Sequence, residues 1–593
     1  MPAGRVEFSG GAHTLRNGTI SGLSRITGGT VTLQGTQSIV AGGVFEFVSG
    51  TLNGTGTVSG PGVFDWVGGD ISADLTIAAA GNMKISSPAD KRLYAGKLFN
   101  QGKIIWTGTG DIVGMSGSTI TNRGLFEIQN DAKFTYCCVA PPGNFQNLAN
   151  GILRKTAASG TTTFGDLQFA NWGIVDIQSG ALALAGSLVH QLNAGGHFSG
   201  AGKTRIEGAT VTLNGTSILD PSSTFEFTAG NLNGDGAFSG PGTFLWTGGD
   251  LTGTLQTGPT TITRIEGSAE KRLAGGTLAN GGQVLWTGSG RIAVTGGGAI
   301  RNNGLFEVQN DSPVIYCCVA PPGTFWNLAG GIFRKTNSSG TNLFDQTFFN
   351  NDGIIEIQSG VLALGGGGTG SGSISNMPAG RVEFTGGTQT LKSGTLSGIN
   401  RIIGGTLTLE GTQSIVAGGV LEFVSGTLNG TGTINGPGFF EWTGGDLSAD
   451  FTLAATGTMK ISGQTDKRLY TAKLFNQGKV IFTGIGNIIG MGGSTITNSG
   501  LFEIQNDAKF TYCCVAPQPS FQNLANGILR KTTAIGTTTF DGFQLVNWGI
   551  VDIQSGDLAL AFAVNQSASR RSVSFRNCNC SFSKLSTCSI FFR

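Results

Sequence analysis

The sequence predicts an all-β chain, a right-handed parallel β-helix or solenoid built from three large repeats of about nine coils each. Three observations predict it. A long block recurs three times, a strand-like word recurs inside each block about every twenty residues, and Gly-rich segments separate the words. The right hand is the general preference of parallel crossovers rather than a property of any residue here.

The large repeat is marked by Tyr-Cys-Cys-Val-Ala-Pro, which begins at Tyr136, Tyr316 and Tyr512, so the first Cys recurs after 180 and then 196 residues. The copies are assigned to 1–190, 191–375 and 376–561, followed by a non-repeat tail at 562–593 that holds Cys, Ser and Arg but no Gly. The second copy is the most diverged: it reads TSILDPSSTFEFTAGNLNG (216–234) where the first reads TQSIVAGGVFEFVSGTLNG (36–54). Apolar and Gly positions persist while surface positions drift, as expected if packing is what the copies share. The tail lacks the coil period and suits an edge-protecting cap poorly, so it is read as a disordered or out-of-frame end. MPAGRVEF opens the chain and recurs at Met377 inside the array. The start therefore corresponds to an interior position, and the chain is read as a piece of a longer repeat protein.

Within the first repeat the words are Val6-Glu7-Phe8, Ser24-Arg25-Ile26, Phe45-Glu46-Phe47, Phe64-Asp65-Trp66, Met83-Lys84-Ile85, Ile104-Ile105-Trp106, Phe126-Glu127-Ile128, Leu153-Arg154-Lys155 and Val175-Asp176-Ile177. Most alternate apolar, polar, apolar, the pattern of a strand with one buried face. Segments such as SGTLNGTGTVSGPG (49–62) supply the positive φ that corners require. A propeller would need blades of about 40 residues, and odd numbers of coils between the markers argue against it.

Composition narrows the function classes. The chain has 101 Gly and only 12% charged residues, yet 39% are apolar, which argues against disorder. Balanced charge, 37 basic against 35 acidic residues, gives no case for nucleic acid. No apolar run is long enough for a transmembrane helix.

The phrases GTLNGTGTVSGPGVFDWVGGD (50–70), NLNGDGAFSGPGTFLWTGGD (231–250) and GTLNGTGTINGPGFFEWTGGD (426–446) resemble in style those of large bacterial surface β-solenoid proteins of the autotransporter-passenger and filamentous-haemagglutinin-like kind. The resemblance covers about 560 residues. It implies secretion, an extracellular or cell-surface location, and adhesion or matrix formation. The chain departs from those proteins in having neither a barrel-like C-terminal segment nor their N-terminal secretion region.

Candidate chemistry is sparse. Cys137-Cys138, Cys317-Cys318 and Cys513-Cys514 lie about 40 Å from pair to pair along a nine-coil repeat, so disulfides between repeats are excluded. Each pair is two thiols, with one Cys buried and one exposed in a strand, a vicinal disulfide, or a link to another chain. Asp70, Asp250 and Asp446 follow Gly-Gly after each Trp. They are candidate ligand-facing corner carboxylates, with an Asp capping its own corner as the plainer account. Asp90-Lys91-Arg92, Glu270-Lys271-Arg272 and Asp466-Lys467-Arg468 read as solvated corners, an anionic glycan being the alternative. Trp66, Trp246 and Trp442, and Trp106 and Trp286 with Phe482, read as core stacks rather than sugar platforms. The three His are not repeated, which speaks against His-based catalysis. Neither a metal site nor a cofactor is read.

The function expected is a non-catalytic structural or adhesive rod with many weak contacts along one long face. The alternative is a carbohydrate-active β-helix, a polysaccharide-binding module or a lyase or glycosidase. Expected partners are extracellular glycans or a host or matrix surface, with lateral or end-to-end self-association.

Overall fold

The computed structural model describes residues 5–561, together with the backbone of Ile590–Phe592. Among the described residues there is no helix, and so none long and apolar enough to cross a membrane. The chain forms two compact units, 1–300 and 301–593, and each is a β-solenoid of stacked parallel strands.

Each coil carries three short strands, and each strand pairs with the one a full turn later. Val63–Trp66, Asp70–Ile71 and Asp74–Ile77 make one coil; Asn82–Ile85, Lys91–Tyr94 and Lys97–Asn100 stack on them in that order. The nine words of the first repeat all fall on one face and in one register. Val6, Ser24, Phe45, Phe64, Met83, Ile104, Phe126, Leu153 and Val175 follow one another as Cα partners. From Phe45 onward this column is buried, because alternate residues of a strand point to opposite faces and the first residue of each of these words is apolar. A second inward column runs Phe47, Trp66, Ile85, Trp106, Ile128, Lys155, Ile177. Trp66, Trp106, Trp246, Trp286, Trp442 and Phe482 are all buried, as the core reading expected.

Polar side chains at the corners complete the interior. Asn100, Asn122, Asn147 and Asn171 form a ladder in which each amide donates to the next Oδ1, at 2.7, 2.8 and 2.8 Å. Asn476, Asn498, Asn523 and Asn547 repeat it in the second unit. Buried amides aligned in this way satisfy one another, which makes burial of so polar a group tolerable.

The faces exchange roles where one repeat gives way to the next. In the first unit the word face of repeat one continues from Ile174–Ile177 through His197–Ser199 and Asp235–Ser239 to Thr254–Thr257 and Thr277–Asn280. By repeat correspondence those last two strands belong to the third face. The word strands of repeat two, such as Thr243–Trp246, instead stack on the former second face, through Ala181–Leu184. In the second unit, Ile354–Ile357 likewise leads into third-face strands, whereas Gly360–Leu364 leads into the words of repeat three. A repeat is therefore a whole number of turns plus one strand. Equivalent residues of successive repeats point away from different faces, a departure from the single long face that the repeat period suggested.

Beyond 561, Ile590–Phe592 pairs antiparallel with Asp557–Leu560 and covers the edge of that strand. The remainder of the segment read as an out-of-frame tail lies outside the described residues.

Candidate functional site

The Asp and Lys-Arg motifs, which look separate in the sequence, are two halves of one arrangement. Asp70 and Arg92 are register partners on adjacent coils of the second face, and their side chains pair at 2.7 Å. Arg272 meets Asp250 through two nitrogens, at 2.7 and 2.5 Å, and Arg468 meets Asp446 at 2.7 Å. The candidate ligand-facing carboxylates are thus each neutralised by an arginine one turn on.

The lysine beside each arginine does the opposite of what a solvated corner requires. Lys91, Lys271 and Lys467 are fully buried. Their ammonium groups donate to the carbonyls of the corner they close: Lys91 to Ser87 and Ala89, Lys271 to Gly267 and Ala269 at 3.1 and 2.8 Å, Lys467 to Gly463 and Thr465. In a strand, Lys and Arg as neighbours must face opposite ways, so one enters the core and the other reaches the surface pair.

Burial lowers the pKa of all three lysines, that of Lys271 from 10.5 to about 8. Between those two values the unfolded chain holds the Lys271 proton and the folded chain releases it. Stability therefore rises as pH climbs from about 8 toward 10.5, is lost again as pH falls over the same window, and levels off below it. Urea midpoints of wild type and Lys271→Met at pH 7 and 9.5 measure this. The wild type should gain on the variant at the higher pH, and parallel curves would refute the assignment.

The Cys pairs lie in a loop that follows a second-face strand, not in a strand. After Lys133–Thr135 the chain leaves the coil at Tyr136 and rejoins at Asn144–Asn147. Cys137 is bonded to Cys138, Cys317 to Cys318 and Cys513 to Cys514. The second Cys has φ of 67°, 70° and 66° respectively, and the amide of the following Val donates to the carbonyl of the first Cys. This is a γ-turn with positive φ, a conformation L residues adopt rarely. The expectation of one buried and one exposed thiol does not hold, because neither Cys of any pair is buried. The loop is nonetheless anchored. The amides of Ser116 and Gly117 donate to Val139 and Pro141, and those of Gly492 and Gly493 to Val515 and Pro517. Ala95, Ser116 and Cys138, and likewise Thr471, Gly492 and Cys514, hold left-handed φ at one corner of three successive coils. Asp70, Arg92, Val113 and Thr135 are successive register partners, so the ion pair and the Cys loop of a repeat share a face, two to three coils apart.

A second set of buried lysines lies outside what the sequence reading singled out. Lys155, Lys335 and Lys531 fill apolar positions of the core and are fully buried. Lys155 donates to the carbonyl of Asn130, to Asp131 and to Thr162, at 2.5, 2.7 and 3.3 Å. The clue was available: Gln-Asn-Asp and Arg-Lys-Thr recur together in all three repeats.

The outward residues of the words form charge ladders. Arg25 pairs with Glu46, Arg154 with Asp176, Arg205 with Glu226, Arg334 with Glu356, Arg401 with Glu422 and Arg530 with Asp552, at 2.6 to 2.9 Å. Asp65 lies in register beside Glu46, accepts a bond from the Ser86 hydroxyl, and has its carboxyl pKa raised, chiefly by burial. Its counterpart Glu441 moves the other way: burial would raise it, but bonds from Lys460 and Ser462 prevail and lower it. Repeat two has Leu245 at that position.

Comparison of the sequence with known family models and with curated proteins gives no match.

Proposed function

We propose that the chain is a non-catalytic structural and adhesive segment of a bacterial cell-surface or secreted repeat protein, working outside the cell. The observation that carries this reading is the recurrence of one exposed set, an Asp–Arg pair and a disulfide loop, on faces that change from repeat to repeat. Asp70–Arg92 and Asp250–Arg272 stand on different faces of the first unit, and the loops of Cys317 and Cys513 on different faces of the second. Weak sites pointing in several directions engage separate partners at once, which favours cross-linking within a matrix over adhesion to one flat surface. The acid at the Asp65 position supports the same reading, since its copies differ in charge and in the direction of their shift.

Purified chain should agglutinate beads coated with extracellular polysaccharide or matrix, and free coating material should inhibit it. Failure to agglutinate or retain any coating would refute the proposal. The carbohydrate-active alternative has one observation in its favour, the raised carboxyl of Asp65 next to Glu46. Release of reducing ends from a polysaccharide, abolished by Asp65→Asn, would establish that alternative instead.

A further inference from the structure

We infer that repeats one and three each carry a binding patch for neutral hexose polymers, formed in repeat one by Tyr94, Phe99, Asp74 and Lys97, and that repeat two has lost it. This rests on the adhesive reading above and specifies its ligand.

Tyr94 ends a second-face strand and Phe99 lies in the third-face strand that follows, so the two rings flank one corner. They are 42% and 37% exposed, and their counterparts Tyr470 and Phe475 are 46% and 38% exposed. Asp74 and Lys97 are register partners between them, with their charged groups 3.5 Å apart; Asp450 and Lys473 repeat the pair at 2.8 Å.

In repeat two all four positions change together, to Ala274, Ala279, Thr254 and Thr277. The backbone does not: Thr254 and Thr277 remain register partners, and Lys271–Ala274 and Thr277–Asn280 are strands of the same length. The neighbouring Asp250–Arg272 pair and buried Lys271 are also retained. Folding therefore does not need the two aromatics or the Asp–Lys pair. Large rings kept at the surface without a packing role mark a contact with something else.

The chemistry of the patch selects the partner. Two aromatic faces suit the C–H faces of pyranose rings. The Asp–Lys pair offers acceptors and donors for hydroxyls while carrying no net charge. A polyanion would meet Asp70 and Asp74, which flank the corner on either side, and a polycation would meet Arg92 and Lys97; a neutral polyhydroxylated chain meets no such opposition.

The test uses the full chain and three soluble probes: oligomers of glucose, oligomers of galactose, and oligogalacturonate as the acidic comparison. The wild type should bind a neutral oligomer and not the acidic one. Tyr94→Ala with Tyr470→Ala should weaken binding at least tenfold without changing the thermal midpoint, since repeat two already carries alanine there. Restoring repeat two with Thr254→Asp, Ala274→Tyr, Thr277→Lys and Ala279→Phe should add binding sites to the measured stoichiometry. Wild-type affinity in the double variant would overturn the patch and leave the adhesive reading standing. Preference for oligogalacturonate would overturn the choice of ligand. Binding of no probe, in a chain that still agglutinates coated beads, would overturn the patch alone, and loss of both activities would overturn both readings.

Discussion

Lys155→Ala is expected to destabilise the first unit by about 2–4 kcal/mol, far more than an ordinary lysine substitution. The ammonium of Lys155 sits in the core column between Ile128 and Ile177 and ties together the Asn130 carbonyl, Asp131 and the Thr162 hydroxyl. Two effects compete in setting the cost. Asp131 is partly exposed, so losing its partner costs little, because water replaces the bond. The lost methylenes leave a cavity in a packed column, and the Asn130 carbonyl keeps only its bond from Thr162. The cavity and the weakened corner therefore dominate, and Lys155→Met, which keeps the stem, should cost about half as much. In a solenoid each coil contacts only its neighbours, so the damage should stay local. Hydrogen exchange should show protection lost first across residues 125–184, with denaturant midpoints giving the total. An exposed control, Lys133→Ala, should change neither. A wild-type midpoint for Lys155→Ala would remove this lysine from the core.

The same residue shows where sequence reading reaches and where it stops. The nine words of repeat one were legible because alternation of apolar and polar residues is a local signal, and each word landed on one face in one register. Leu153-Arg154-Lys155 departed furthest, with a charged lysine where the alternation calls for an apolar side chain. A charged residue in a core position, kept in every repeat, requires acceptors brought in from elsewhere in the coil. The other two strands of each coil were harder to read, since Asp70–Ile71 is too short to display a period and Thr119–Asn122 turns an Asn inward beside Ile120. The Asp70–Arg92 pair needed the register as well as the period, because its partners are a full coil apart. The Cys pairs were misplaced because a strand was assumed where the positive φ of Cys138 and the neighbouring prolines make a loop. Most telling is the rotation of faces: it depends on the number of strands per repeat, and one uncounted strand reverses the conclusion about which sites align.

Asn122→Ala should cost about 3 kcal/mol or more, and its position in the ladder is the reason. Its amide donates to Asn147 and to the carbonyl of Ile152, and its own oxygen accepts from Asn100. Removing it strands the Asn147 oxygen in a buried corner, takes the side-chain bond away from the Ile152 carbonyl, and leaves the Asn100 amide with the Leu125 carbonyl alone. Asn171 stands at the end of the same ladder, where its oxygen accepts from Asn147 and its amide donates to Gly173. Asn171→Ala strands fewer groups, because Asn147 still reaches Ile174. The contrast between the two variants is the measurement. Hydrogen bonds in a low-dielectric chain polarise one another, so a break in the middle divides the ladder into two shorter and weaker pieces. If urea midpoints show the middle variant clearly less stable than the end variant, the ladder acts as a continuous element joining the coils. Equal losses would mean that each amide merely closes its own corner, and the coupling between coils would then rest on the apolar columns and backbone pairing alone.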